Sequence, residues 1–121
     1  GYVKNNKVTR LAIDPIAPLI FAEQTKPDVI DYIRKLIFAI EDYSDCTTLL
    51  TSYVPVGSDK VSHHGIEEFA ASGIIVLRLS KHVNKYIRTV RIRKLRGSRI
   101  DLSEYNFEIL PERGFVLRNP I

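Results

Sequence analysis

The 121-residue sequence contains a single cysteine, no methionine and no tryptophan. A lone Cys46 excludes an internal disulfide, and with it the disulfide-stapled secreted folds, so a reducing, cytoplasmic setting is the expectation. No apolar run approaches the ~18–20 residues of a membrane-spanning helix, and no membrane partner is expected. Heptad arrays, collagen periods and tandem repeats are absent. The six glycines stand at positions 1, 57, 65, 73, 97 and 114, and none of them precedes a lysine. The loop Gly-x4-Gly-Lys-Ser/Thr, whose backbone cradles a triphosphate, is therefore missing. Without a methionine, Gly1 reads either as the residue behind a removed initiator or as a cut point in a longer chain.

Acid is also missing from one stretch. Between Lys81 and Arg99 lie Lys81, Lys85, Arg88, Arg91, Arg93, Lys94, Arg96 and Arg99, with no Asp or Glu among them. The whole chain carries eighteen basic against fourteen acidic residues, a net +4, so everything outside this ribbon is net acidic. Such an asymmetry points to an anionic partner, whether nucleic acid, nucleotide phosphate or the acidic face of another subunit. With 45% hydrophobic and 26% charged residues the composition is that of an ordinary globular chain, and one domain over 1–121 is expected from its length.

The periodicities order the elements. Val8 to Asp14 reads as a short strand with its apolar stretch at Leu11 to Ile13, closed by a carboxylate and by Pro15. Thr25-Lys-Pro-Asp28 has the features of a helix start, and Val29, Ile30, Ile33, Leu36, Ile37 and Ile40 follow on one helical face. Cys46 to Ser52 reads as a second strand, short and apolar enough to be covered on both faces. Strand, amphipathic helix and strand make a βαβ unit, which predicts parallel strands. Val54 to His64 reads as a loop, and Ile66 to Ala71 as a short helix closed by Gly73. Ile74 to Leu79 and Tyr86 to Leu95 predict an antiparallel hairpin. Short strands near Phe107 to Leu110 and Phe115 to Leu117 flank the turn Pro111-Glu-Arg-Gly114. The fold class expected is α/β, with parallel βαβ strands first and antiparallel hairpins after them.

Few residues here carry chemistry. Asp14 ends an apolar strand, where ligands of open parallel sheets bind, and a carboxylate there suits a hydrated Mg²⁺ beside a nucleotide phosphate. Lys94 and Arg96 are two apart on a strand, which by the period of two aims both to one face, that of Val90 and Ile92. An ammonium and a guanidinium together at a sheet rim suit a phosphate group from a ligand or a neighbouring subunit. Arg91 and Arg93 fall on the opposite face. Asp59, His63, His64 and His82 lack a recognised metal-ligand spacing, Glu67 and Glu68 suit a helix start, and Cys46 reads as a small buried apolar group.

In order and spacing these segments resemble the C-terminal half of the RecA-like ATPase core, in its KaiC-type branch. The stretches that carry the likeness are Leu11-Ala-Ile-Asp-Pro-Ile-Ala-Pro-Leu19, Thr48-Leu-Leu-Thr-Ser52 and Gly65-Ile-Glu-Glu-Phe-Ala-Ala-Ser-Gly-Ile-Ile-Val-Leu77. Arg88-Thr-Val-Arg-Ile-Arg-Lys-Leu-Arg-Gly-Ser98 and Phe107-Glu-Ile109 complete it, over roughly positions 8 to 117. The resemblance implies ring-type homo-oligomers that bind ATP and Mg²⁺ between subunits. It implies that Asp14 is the Mg²⁺-associated carboxylate and that Thr51 and Ser52 face the terminal phosphate. It further implies that Lys94 and Arg96 reach the adjacent subunit's nucleotide. Pro15 replaces the usual hydroxyl residue, Tyr53 stands where many relatives carry Glu, and the phosphate loop and catalytic glutamates are absent. A chain of this kind is expected to be inactive alone. It is also expected to present an unpaired sheet flank that invites self-association, covering by an N-terminal segment, or poor solubility. The alternatives are a nucleic-acid-binding module using Arg88, Arg91 and Arg93 with Tyr86, and a degenerate family member kept as an assembly scaffold.

Overall fold

A computed structural model describes residues 1–15, 26–43, 45–53 and 71–121, with backbone only for 26–30. The chain divides into two compact units, Gly1–Ala71 and Ser72–Ile121.

In the first unit, a one-turn helix α1 (Tyr2–Asn5), not expected from the sequence, precedes strand β1 (Arg10–Ile13). Helix α2 (Lys26–Glu41) and strand β2 (Thr47–Leu50) follow. Pro27 lies in the first turn of α2, where a missing N–H costs nothing. Asp31 and Lys35 form an i,i+4 ion pair of 2.9 Å in the favourable acid-first order. That contact raises the Lys35 pKa, first through the hydrogen bond and then through the charge of Asp31. Ile33 and Ile37 are buried and Leu36 and Ile40 half-buried, the apolar face that the spacing predicts. β1 and β2 pair in parallel, Arg10 with Thr47 through Ile13 with Leu50. The βαβ unit is therefore present. β2 is not covered on both faces, however: it alternates exposed and half-buried residues, and Leu49 is 58% exposed. Thr25, the first residue of the expected helix start, the loop from Val54 and most of the expected helix Ile66–Ala71 lie outside the described residues.

The second unit is a four-stranded antiparallel sheet in the order β3 (Gly73–His82), β4 (Lys85–Leu95), β5 (Tyr105–Leu110), β6 (Gly114–Pro120). Gly73 opens β3. It pairs with Leu95, and a β-carbon there would come within 3.0 Å of Leu95 Cδ1. β3 and β4 meet at a two-residue turn, Val83-Asn84, and β5 and β6 at the expected turn 111–113. Gly114, at φ 71°, supplies the left-handed backbone on which that second turn closes.

The sheet has two unlike faces. Cross-strand pairing puts Ile75, Leu77, Leu79, Val90, Ile92, Phe107, Ile109, Phe115 and Leu117 on one of them. Phe107 and Val90 are its covered centre, at 7% and 9% exposure, and the Phe107 ring stacks on Phe115 with centroids 4.4 Å apart. The other, more polar face carries Ile74, Val76, Arg78, Ser80, Ile87, Thr89, Arg91 and Asn106.

One irregularity governs where the cations go. The register slips between Ile74 and Ile75: Ile75 faces Ile92, but Ile74 faces Lys94, which leaves Arg93 as an extra, bulged residue.

Candidate functional site

The carboxyl ends of the parallel pair bring two of the expected residues together. Asp14 follows the last residue of β1, and Thr51 the last of β2. The Thr51 backbone N–H extends the ladder by donating to Ile13 O at 3.0 Å, which fixes the hydroxyl beside the carboxylate. Thr51 Oγ1 donates to Asp14 Oδ1. Asp14 is exposed and Thr51 half-buried, so the pair opens outward at the end of the strands. Ser52 comes next in the chain and is exposed. The Asp14–Pro15 peptide is cis.

Both oxygen donors are hard ligands. One carboxylate held by a hydroxyl suits Mg²⁺, which keeps several waters and takes only one or two protein carboxylates beside phosphate oxygens. Among the described residues no group of three or more His, Cys, Asp or Glu side chains is placed to hold a metal ion by itself. Asp59, His63, His64, Glu67 and Glu68 lie outside the described residues.

Lys94 and Arg96 belong to the second unit. The bulge corrects their expected orientation: because Lys94 pairs with Ile74, it stands on the face of Val76 and Arg91, opposite Val90 and Ile92. Arg96 is past the end of β4, in the turn with Gly97, where its N–H donates to Ser72 O at 2.9 Å. Gly97 has φ 77°, the left-handed backbone on which this turn reverses. Lys94 is half-buried and Arg96 exposed.

The basic ribbon does not form one surface. Arg88 pairs with Leu79 and Phe107 and stands with Tyr86 on the apolar face. Arg91 stands on the polar face, and Arg93 is the bulged residue between the two pairings.

A feature outside every sequence expectation lies on the polar face. A shallow hollow of about 350 Å³ is lined by Val76, Arg78, Ser80, Arg91 and Glu104. Its one sequence signal is Arg78, a charge set inside the otherwise apolar run Ile74 to Leu79. No helix among the described residues is long and apolar enough to cross a membrane.

Residues 1–120 match the family model described as the KaiC ATPase. The chain belongs to the KaiC ATPase family. Among curated KaiC proteins, it is 24% identical over 115 residues to the circadian clock protein KaiC3 of Synechocystis sp., covering 95% of the chain and 23% of that protein. It is 29% identical over 107 residues to the circadian clock oscillator protein KaiC of Thermosynechococcus vestitus, covering 88% and 20%. The crystal structure of a KaiC-like protein from Pyrococcus horikoshii superposes with a TM-score of 0.83 at 35% identity, over 97% of this chain and 52% of that one. The fold is thus the KaiC-like, RecA-type α/β fold. The chain spans about a fifth of the length of these curated relatives and about half of the solved chain.

Proposed function

We propose that residues 1–121 form one partial KaiC-type ATPase domain that contributes two sets of residues to ATP sites shared between subunits. Asp14 is the carboxylate on the Mg²⁺ side, held in orientation by Thr51, and Thr51 and Ser52 face the terminal phosphate. Lys94 and Arg96 act in trans on the nucleotide of the adjacent subunit in a ring-type homo-oligomer. The observation that carries this reading is the Thr51–Asp14 hydrogen bond at the carboxyl ends of two parallel strands, where ligands of α/β sheets bind.

Within such a site the Thr51 hydroxyl removes one degree of freedom from the carboxylate, so Asp14 presents its second oxygen in a fixed direction. Mg²⁺, when bound with ATP, neutralises the charge on the phosphate oxygens. Lys94 and Arg96 offer further positive charge where negative charge shifts during phosphoryl transfer. The bulge supports two separate roles for these cations, since it gives Lys94 a strand position and leaves Arg96 to the turn. Having no phosphate loop, the chain alone lacks the cradle that fixes a triphosphate, so it neither binds ATP tightly nor hydrolyses it.

The nucleic-acid reading has less support, because Arg88, Arg91 and Arg93 are dispersed over two faces and a bulge. The test is calorimetry with ATP–Mg²⁺ on the chain alone, followed by co-assembly with a family chain that carries the Gly-x4-Gly-Lys-Ser/Thr loop. Binding is expected to be undetectable at micromolar ATP for the chain alone, while the mixed assembly hydrolyses ATP. Lys94→Ala and Arg96→Ala are each expected to lower that turnover at least tenfold. Unchanged turnover in both variants would overturn the trans assignment.

A further inference from the structure

We propose that the polar face of the β3–β4–β5 sheet binds a small, hydroxyl-bearing phosphate ester of the sugar-phosphate class, in the hollow lined by Arg78, Ser80, Arg91 and Glu104. The described residues of this site all belong to the second unit, and the proposal does not rest on the ATP reading.

The register places the two arginines. Arg78 pairs with Thr89 and Arg91 with Val76, so they are diagonal neighbours on one face, a relation that typically spans about 7–8 Å and somewhat less between β-carbons. Two guanidinium forks at that separation can converge on the oxygens of one phosphate, each giving paired, charge-assisted hydrogen bonds. Ser80, two residues along β3 on the same face, adds a hydroxyl donor.

The charges of the two arginines are only partly balanced within the hollow, where Glu104 is the one acid among the described lining residues. Both arginines are half-buried, and the ion pairs among the described residues, Lys35–Asp31 and Arg118–Glu108, involve neither of them. Two partly desolvated cations lining the hollow with a single carboxylate among the described residues leave a net positive charge there, which favours an anion from outside. The one carboxylate among the described residues of the hollow, Glu104, is already oriented: its Oε1 accepts the hydroxyl of Thr89, which is 1% exposed. A carboxylate fixed in this way beside two cations accepts a ligand hydroxyl while the cations hold the phosphate.

Shape and composition narrow the ligand further. About 350 Å³ exceeds a bare phosphate and falls at the small end of ligand pockets. Tyr86, Phe107 and Phe115 all stand on the opposite face, so among the described residues the hollow offers no ring for a nucleobase to stack on. A sugar phosphate meets these terms and a base-recognised nucleotide does not.

The experiment titrates the full 121-residue chain with ribose 5-phosphate, inorganic phosphate and ribose, followed by amide chemical shifts and calorimetry. Ribose 5-phosphate is expected to bind saturably, to shift resonances of Arg78, Ser80 and Arg91, and to bind about tenfold tighter than inorganic phosphate. Arg78→Ala or Arg91→Ala, each verified as folded by circular dichroism, weakens the ester tenfold or more. Arg113→Ala, which removes a cation from the β5–β6 turn, changes nothing. Glu104→Gln is expected to abolish the preference for the ester over inorganic phosphate. Equal binding of the ester to wild type and the Arg78→Ala/Arg91→Ala double variant overturns the site, and an unchanged preference in Glu104→Gln overturns the part assigned to the hydroxyl.

Discussion

Asp101, in the segment joining β4 and β5, is held by donors from within four residues. The Ser103 N–H donates to its Oδ1 at 2.9 Å, and the Tyr105 hydroxyl donates to its Oδ2. The Ser103 side chain, then Tyr105, then the Ser103 backbone lower the Asp101 pKa from 3.8 to about 2. The same contact raises the pKa of Tyr105. A carboxyl whose folded pKa is depressed binds protons less readily than in the unfolded chain. Its contribution to stability is therefore complete above the ordinary carboxylate pKa and disappears as pH falls toward 2. Tyr105→Phe is expected to move the carbon-detected Asp101 titration upward toward its ordinary value. The stability advantage of wild type over this variant should be constant near neutrality and shrink between about pH 4 and 2. A midpoint that does not move in Tyr105→Phe would show that the phenol is not holding the carboxylate. Asp14 is the contrasting acid: its partner, Thr51, comes from a different strand 37 positions along the chain. Local sequence marked Asp14 as a strand-ending carboxylate, but only the parallel register of β1 and β2 puts the hydroxyl against it.

Elements were more legible than the faces they present. The short apolar runs of β1 and β2, the one-sided helix α2 and the two hairpins all follow from periodicity and turn residues. The pairing face of Lys94 did not follow, because strict alternation through Val90, Ile92 and Lys94 assumes no bulge. The sign was nonetheless present: Arg93-Lys94 is a polar doublet, after which Leu95 returns to pair with Gly73. Inserting one residue keeps Leu95 in step with the apolar side and turns Lys94 to the other. The hollow was illegible for a different reason. Glu104 comes to line the hollow with Arg91 and Arg78 through a connection whose path the local pattern does not determine. At this scale Phe107 is the residue on which the second unit depends, being 7% exposed and stacked on Phe115. Phe107→Ala is expected to cost about 3 kcal/mol in urea unfolding, the cost of a large aromatic lost from a packed centre. Ile109→Ala, on the same strand and face but 60% exposed, should cost well under half as much. Equal losses would mean that the covered centre is not where these two rings stack.

Charge divides the molecule along the same boundary as its two units. Residues 72–121 hold eleven basic and four acidic side chains, whereas residues 1–71 hold seven basic and ten acidic. The proposed site shared between subunits, with Lys94 and Arg96 offered in trans, would set the basic unit of one copy against a neighbour whose first unit is acidic. Attraction between such surfaces weakens as salt shortens the screening length from ~10 Å at 0.1 M to ~3 Å at 1 M. The apolar face, with Ile75, Leu77 and Leu79 at 64%, 58% and 66% exposure, offers a competing route to association. The two routes respond to salt in opposite directions, since screening loosens charged contacts and high concentrations of excluded salts strengthen apolar ones. Light scattering of the chain at fixed concentration is expected to give an apparent mass that falls when sodium chloride is raised from roughly 50 to 500 mM. Arg96→Glu should lower the mass at the low-salt end, while Leu77→Ser should leave the salt trend intact. A mass that rises with salt, or falls only in Leu77→Ser, would put the apolar face at the contact and remove the charge-paired arrangement on which a shared site depends.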